Sequence, residues 1–118
     1  MNGCIPGHES AAQRFELASV AGTYAANTNR VAFARPVRRL RLYLAGSANT
    51  HLYMHATKTE DATPATELAT AGSRYRFNAR TLANGGSVVD IAFDFEVNFL
   101  YFLTSAGTCD AHVIGWEK

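Results

Sequence analysis

The chain reads as an all-β protein: a single antiparallel β-sandwich or jelly-roll-like domain of about seven to eight strands with an extended N-terminal arm. Three observations predict this. Apolar residues recur at every second position in one short segment after another. Clusters of Gly, Asn, Ser and Pro separate those segments. No stretch carries helical periodicity over more than a turn or two. The 118 residues make one domain, long enough to bury about two thirds of its unfolded surface without a metal or disulfide.

Residues 1–12 (MNGCIPGHESAA) form the arm, and residues 13–118 the β domain. The arm holds Ile5 and Pro6 as its candidate contact points. Phe15, Leu17 and Val20 predict a first strand over residues 14–20, with a helix as the alternative. Residues 22–29 are turn chemistry. A second short strand, RVAFA at 30–34, is stopped or placed at an edge by Pro36. A hairpin follows, in which Leu40, Leu42 and Leu44 pair with Ala56, Met54 and Leu52 across a turn at 46–49. That register sets Tyr43 opposite Tyr53 and Arg41 opposite His55. The resulting outer face of Arg39, Arg41, Tyr43, His51, Tyr53 and His55, with Arg74 and Arg76 nearby, is the predicted interface. Residues 58–66 (KTEDATPAT) are an exposed, mobile loop. Residues 73–80 alternate again, and Ala83, Asn84, Gly85 and Gly86 make a turn.

Residues 87–105 (SVVDIAFDFEVNFLYFLTS) are the longest apolar run. Odd positions from Val89 to Leu103 are all apolar. Even positions begin polar with Asp90, Asp94, Glu96 and Asn98, then become apolar at Leu100 and Phe102. The change of phase near 96–98 predicts a bend or tight turn between a half-exposed strand and a fully buried one. A last strand covers 109–116.

Charged residues are only 18% of the chain and the net charge is +1, which argues against electrostatic capture of nucleic acid or an anionic membrane. Basic residues gather before residue 45 and acidic ones after residue 87, so the two sets pair either between strands of one chain or between copies. Cys4 and Cys109 have no metal-ligand spacing and read as reduced thiols. The first residues lack the basic and apolar regions of a signal peptide, and no apolar run has the length of a membrane helix. His51 and His55 stand about 13 Å apart in extended chain, too far to share one ion. No nucleophile elbow or phosphate loop occurs. Asp94 and Glu96 have the spacing of paired carboxylates, which any such strand offers. Thus no catalytic residue, cofactor or metal site is expected. The Arg and Tyr face favours protein contact over single-stranded nucleic acid, and Tyr43, Tyr53 and Trp116 leave glycan binding by a noncatalytic module as an alternative.

Residues 30–37 (RVAFARPV) leading into the Leu40, Leu42 and Leu44 strand, the GSAN turn at 46–49, and the FLTSAGT hairpin at 102–108 ending in VIGW at 113–116 carry a family resemblance. Their order resembles small β-sandwich accessory proteins of tailed-bacteriophage particles, the capsid decoration or cement proteins. The resemblance covers roughly residues 30–116. It implies a noncatalytic virion structural protein assembled in the host cytoplasm. Such a protein is a homo-oligomer, often a trimer, bound to major capsid or tail proteins, with its arm gripping neighbours.

Overall fold

The computed structural model describes residues 12–117, so the predicted arm, with Ile5 and Pro6, lies outside the described residues except for Ala12. The elements are β1 (Gln13–Val20), β2 (Arg30–Gly46), β3 (Thr50–Thr57), α1 (Pro64–Leu68), β4 (Tyr75–Ala79), β5 (Ser87–Thr104) and β6 (Cys109–Trp116). They form one six-stranded sheet in the order β1-β6-β2-β5-β3-β4, and every pairing between these strands is antiparallel. The all-β class is as the alternation predicts. There are fewer strands than expected among the described residues because the segments on either side of Pro36 are one strand of 17 residues and those on either side of 96–98 are one strand of 18.

The length of β2 and β5 shapes the molecule. Their ladder starts in one register, from Arg30↔Tyr101 to Ala32↔Phe99. Continuing that register would set Asp94 opposite Val37, but Val97 stands there, and by Arg39↔Ala92 the first register has returned. Two opposite slips therefore cancel around Val37. Pro36, which has no N–H to give a ladder, sits inside the slipped region. Of the predicted bend or tight turn near 96–98, no turn is present: β5 runs through as one strand, and the slipped register falls at that place. Beyond it the inward positions of β5 change phase, from Val89, Ile91 and Phe93 to Leu100 and Phe102.

The bend divides the sheet into two wings. In the first, β6 and the start of β5 flank the second half of β2, with β1 outside β6. In the second, the end of β5 pairs with the start of β2 and with β3, and β4 lies at the edge. One hydrophobic cluster takes side chains from both wings: Leu40, Leu42, Leu44 and Val113 from the first, Leu52, Met54, Leu100 and Phe102 from the second. Burying each such side chain fully stabilises the fold by about 1.5–3 kcal/mol. The ring of Tyr75 on β4 meets that of Phe93 at 5.9 Å, edge to face, so the rims of the wings touch.

The expected hairpin between β2 and β3 does not form. Along Arg39–Leu44 both edges of β2 are already occupied, by β5 and β6, so Leu44 lies opposite Ser87 and Ala111 instead of Leu52. The connection after Gly46 is an arch between wings, tied by Gly46 N–H to the Arg80 carbonyl (2.9 Å) and Ser47 N–H to the Thr108 carbonyl (2.8 Å). Leu42 and Met54 still belong to one cluster. The period of two decided which way they face; it did not decide which strand lies alongside.

At the edge of the sheet, β1 slips against β6 between Leu17 and Val20. Ser19 takes φ 57° there, and its N–H donates to Asp110 Oδ1 at 2.9 Å.

Gly115 on β6 lies close against Phe33 and Val37 of β2. A Cβ there would lie 2.8 Å from Phe33 Cε1 and 2.9 Å from Val37 Cγ1. We expect Gly115→Ala to lower stability by about 1–3 kcal/mol, the usual cost of overpacking. Urea unfolding followed by Trp116 fluorescence measures it, and an unchanged midpoint would show that the bend at Val37 yields freely.

Candidate functional site

The strand order splits the face predicted for contact. Arg39, Arg41 and Tyr43 stand on β2 in the first wing; His51, Tyr53 and His55 stand on β3 in the second, beside Arg74 and Arg76. Tyr43 is opposite Val88 and His112, while Tyr53 is opposite Arg76 and Leu103. The tyrosine pair and the Arg41–His55 pair of the predicted register are therefore corrected, because β5 lies between the two strands.

Most of the predicted cations are engaged within the chain. Arg41 grips Asp90 with two hydrogen bonds, Nε to Oδ1 at 2.7 Å and Nη2 to Oδ2 at 3.2 Å. The hydrogen bonds donated by Arg41 hold the Asp90 carboxyl below the ordinary carboxylate range, and Asp90, by accepting them, in turn raises Arg41. The Arg39 guanidinium lies 4.6 Å from the Trp116 ring centre, and that of Arg74 lies 3.6 Å from the Tyr53 ring centre. Arg30 reaches Glu60 and Arg35 reaches Glu117, both at 3.0 Å. Part of the segregated charge thus pairs within one chain, Arg41 with Asp90 across strands and Arg35 with Glu117 beyond the end of β6. A continuous platform of free Arg and Tyr side chains, which single-strand or glycan stacking would use, is absent among the described residues. His51 is partly buried, its N–H donating to Ser105 Oγ at 3.1 Å, and Arg76 is exposed at the β4 edge.

The polar loop after β3 is exposed at most of its residues, as expected, and it is anchored at Asp61 and Pro64. Residues 58–74 run as a strap over the outer face of the second wing, where Tyr101 and Leu68 are both fully buried. Asp61 fixes the strap: its N–H donates to Tyr101 Oη (2.8 Å), its Oδ2 meets His55 Nε2 (3.1 Å), and its Oδ1 accepts from Thr63 N–H (2.9 Å). The His55 ring stacks on Tyr101 at 5.7 Å. Pro64 opens α1, where its missing N–H costs nothing. Arg74 Nη1 donates to the Leu68 carbonyl at 2.7 Å and satisfies the far end of the helix. Burial raises the Tyr24 phenol, with the neighbouring Tyr101 adding to it. His55, Asp61 and Glu67 each bring one potential ligand atom within 4.8 Å of the others. Glu67 Oε2 and Thr57 Oγ1 are shut off from solvent and have no hydrogen-bond partner. This grouping was not foreseen. It joins a strand, a loop and a helix through a fold that spacing alone does not reveal.

A depression of about 450 Å³ opens on the first wing, lined by Leu17, Tyr43, Ala45, Leu82, Val88 and His112 among others. Its rim is exposed and apolar, with Leu82 78% and Val88 59% accessible. The turn before β5 shapes one side, since Gly86 (φ 64°) brings its backbone so close that a Cβ would lie 2.8 Å from the Leu44 carbonyl oxygen. Cys109 lies buried at the start of β6, and that burial pushes its thiol up to about 11.

No family model matches the chain, and no curated protein matches it. Among solved structures it is similar to a chain of Desmodium yellow mottle tymovirus, with 14% identity and a TM-score of 0.48 over 88% of this chain and 82% of that one.

Two outcomes follow from these environments. Asp90 gains its ion pair only in the folded protein, so the unfolded chain binds protons more readily, and this contribution to stability is present above the ordinary carboxylate pKa and lost as pH falls through the depressed one. We expect a carboxyl NMR titration of Asp90 to lie below the usual range and to rise toward it in Arg41→Gln; an unchanged value would show that the pair does not persist in solution. With Cys4→Ser removing the other thiol, Cys109 is expected to react with iodoacetamide at pH 8 at least about a hundredfold more slowly when folded than in urea. Equal rates would mean that the start of β6 opens readily.

Proposed function

We propose that the protein is a noncatalytic virion structural protein. In this reading it is a capsid-decoration or related head or tail accessory component that stabilises a particle by contacts with copies of itself and with major capsid or tail proteins. The observation that carries the reading is the apolar rim of the first wing. Leu82, Val88 and Tyr43 leave large side chains in solvent around a concave, largely apolar surface set on β2, β5 and the turn before β5. Exposed apolar surface gathered in one place marks contact with another macromolecule. The internal pairing of Arg30, Arg35 and Arg41 supports it from the other side, because it leaves complementary charge a smaller part in assembly than apolar burial. The glycan alternative loses support, since the guanidinium groups of Arg74 and Arg39 already cover one face each of Tyr53 and Trp116.

Size-exclusion chromatography with light scattering tests the proposal. We expect the wild-type protein to form a homo-oligomer, and Val88→Asp to shift it toward monomer by at least about tenfold in the association constant, with unfolding free energy changed by less than about 0.5 kcal/mol. A wild-type chain that stays monomeric at high concentration and sediments apart from virus particles would overturn the reading.

A further inference from the structure

The strap over the second wing has no part in that surface, yet it gathers a chemically distinct set of side chains. We propose that His55, Asp61 and Glu67 form a binding site for a divalent transition-metal cation, zinc foremost, which clamps the strap onto β3 and β5. The three residues come from a strand, the loop after it and α1, and their ligand atoms all lie within 4.8 Å of one another. His55 Nε2 and Asp61 Oδ2 are 3.1 Å apart, near the roughly 3.3 Å edge of a tetrahedron whose bonds to nitrogen and oxygen are about 2.0–2.2 Å.

Two of the ligands are already oriented. Stacking on Tyr101 fixes the His55 ring. The Asp61 backbone is tied to the Tyr101 hydroxyl and its Oδ1 to Thr63 N–H, which directs Oδ2 toward the imidazole. Outer contacts of this kind, which aim a ligand before an ion arrives, are a regular feature of built metal sites. The independent sign is Glu67. Its Oε2 is inaccessible to water and accepts no hydrogen bond, an arrangement that a proton or a cation has to satisfy. A cation drawing the Glu67 carboxylate in toward the His55–Asp61 pair satisfies it and fastens α1 to the sheet. One imidazole with two carboxylates suits zinc and its neighbours, whereas calcium and magnesium favour oxygen ligands alone. Three protein ligands leave a position for water.

The test is titration of the full chain with zinc chloride by calorimetry, with cobalt(II) as a spectroscopic probe. We expect one zinc per chain and a visible cobalt band of tetrahedral intensity. Glu67→Gln keeps the side chain's shape and should weaken zinc binding by at least about tenfold. It should also abolish the zinc-dependent rise in melting temperature that binding to the folded state alone produces. His55→Asn should act likewise, while His8→Asn, His51→Asn and His112→Asn should bind as the wild type does. Absence of zinc binding, equal affinity in Glu67→Gln and wild type, or loss of binding in one of the three control variants would overturn the proposal.

Discussion

The cancelling pair of slips in the ladder between β2 and β5 is the constraint that the other features depend on. A regular ribbon of that length would carry its strands straight and keep one apolar side throughout. Because Val97 takes the place opposite Val37 and the register then returns, the ribbon bends, and the inward-facing positions of β5 change phase at the bend. The two wings can then enclose one core while remaining parts of one hydrogen-bonded sheet. Gly115 belongs to the same constraint. Phe33 and Val37 press against its bare backbone, so the first wing closes on the bend with no room for a side chain.

The electrostatics follow from that arrangement. Antiparallel pairing of the second half of β2 with the first half of β5 brings Arg41 directly opposite Asp90, and the basic and acidic ends of the sequence meet within one chain. These are exposed pairs, screened by salt, and each contributes little to stability. The outer face of the second wing is different. There the strap buries Tyr101, and the aromatic stack of Phe99, Tyr101 and His55 forms a small second core beneath a polar loop.

Much of the fold was legible in the sequence. Alternation located β1, β3, β4, β5 and β6 and the inward side of nearly every one, and the loss of polar residues after Asn98 marked both the bend and the burial that follows. What alternation could not specify was neighbourhood. Leu40, Leu42 and Leu44 match the apolar set of β3 as well as they match those of β5 and β6, and only the assembled sheet decides between them. Pro36 misled for a related reason. It forbids one ladder hydrogen bond, yet a strand that bulges there needs none, so β2 continues through it. The candidate metal ligands were hidden because His55 invites comparison with the other histidines along the strands, while Asp61 lies in a segment whose polarity reads as exposure and Glu67 lies just beyond it. The Tyr101 hydroxyl that organises that segment looked like one more ring in an apolar run.

The kink at Ser19 has a consequence for how copies of this chain can meet. An outermost strand with a regular row of free N–H and carbonyl groups invites a second molecule to extend the sheet, the first step toward fibres. Here the left-handed backbone of Ser19 interrupts the strand, and its amide is spent on Asp110. The opposite border of the sheet is β4, only five residues long. With one border interrupted and the other short, growth by adding strand to strand is disfavoured at both ends.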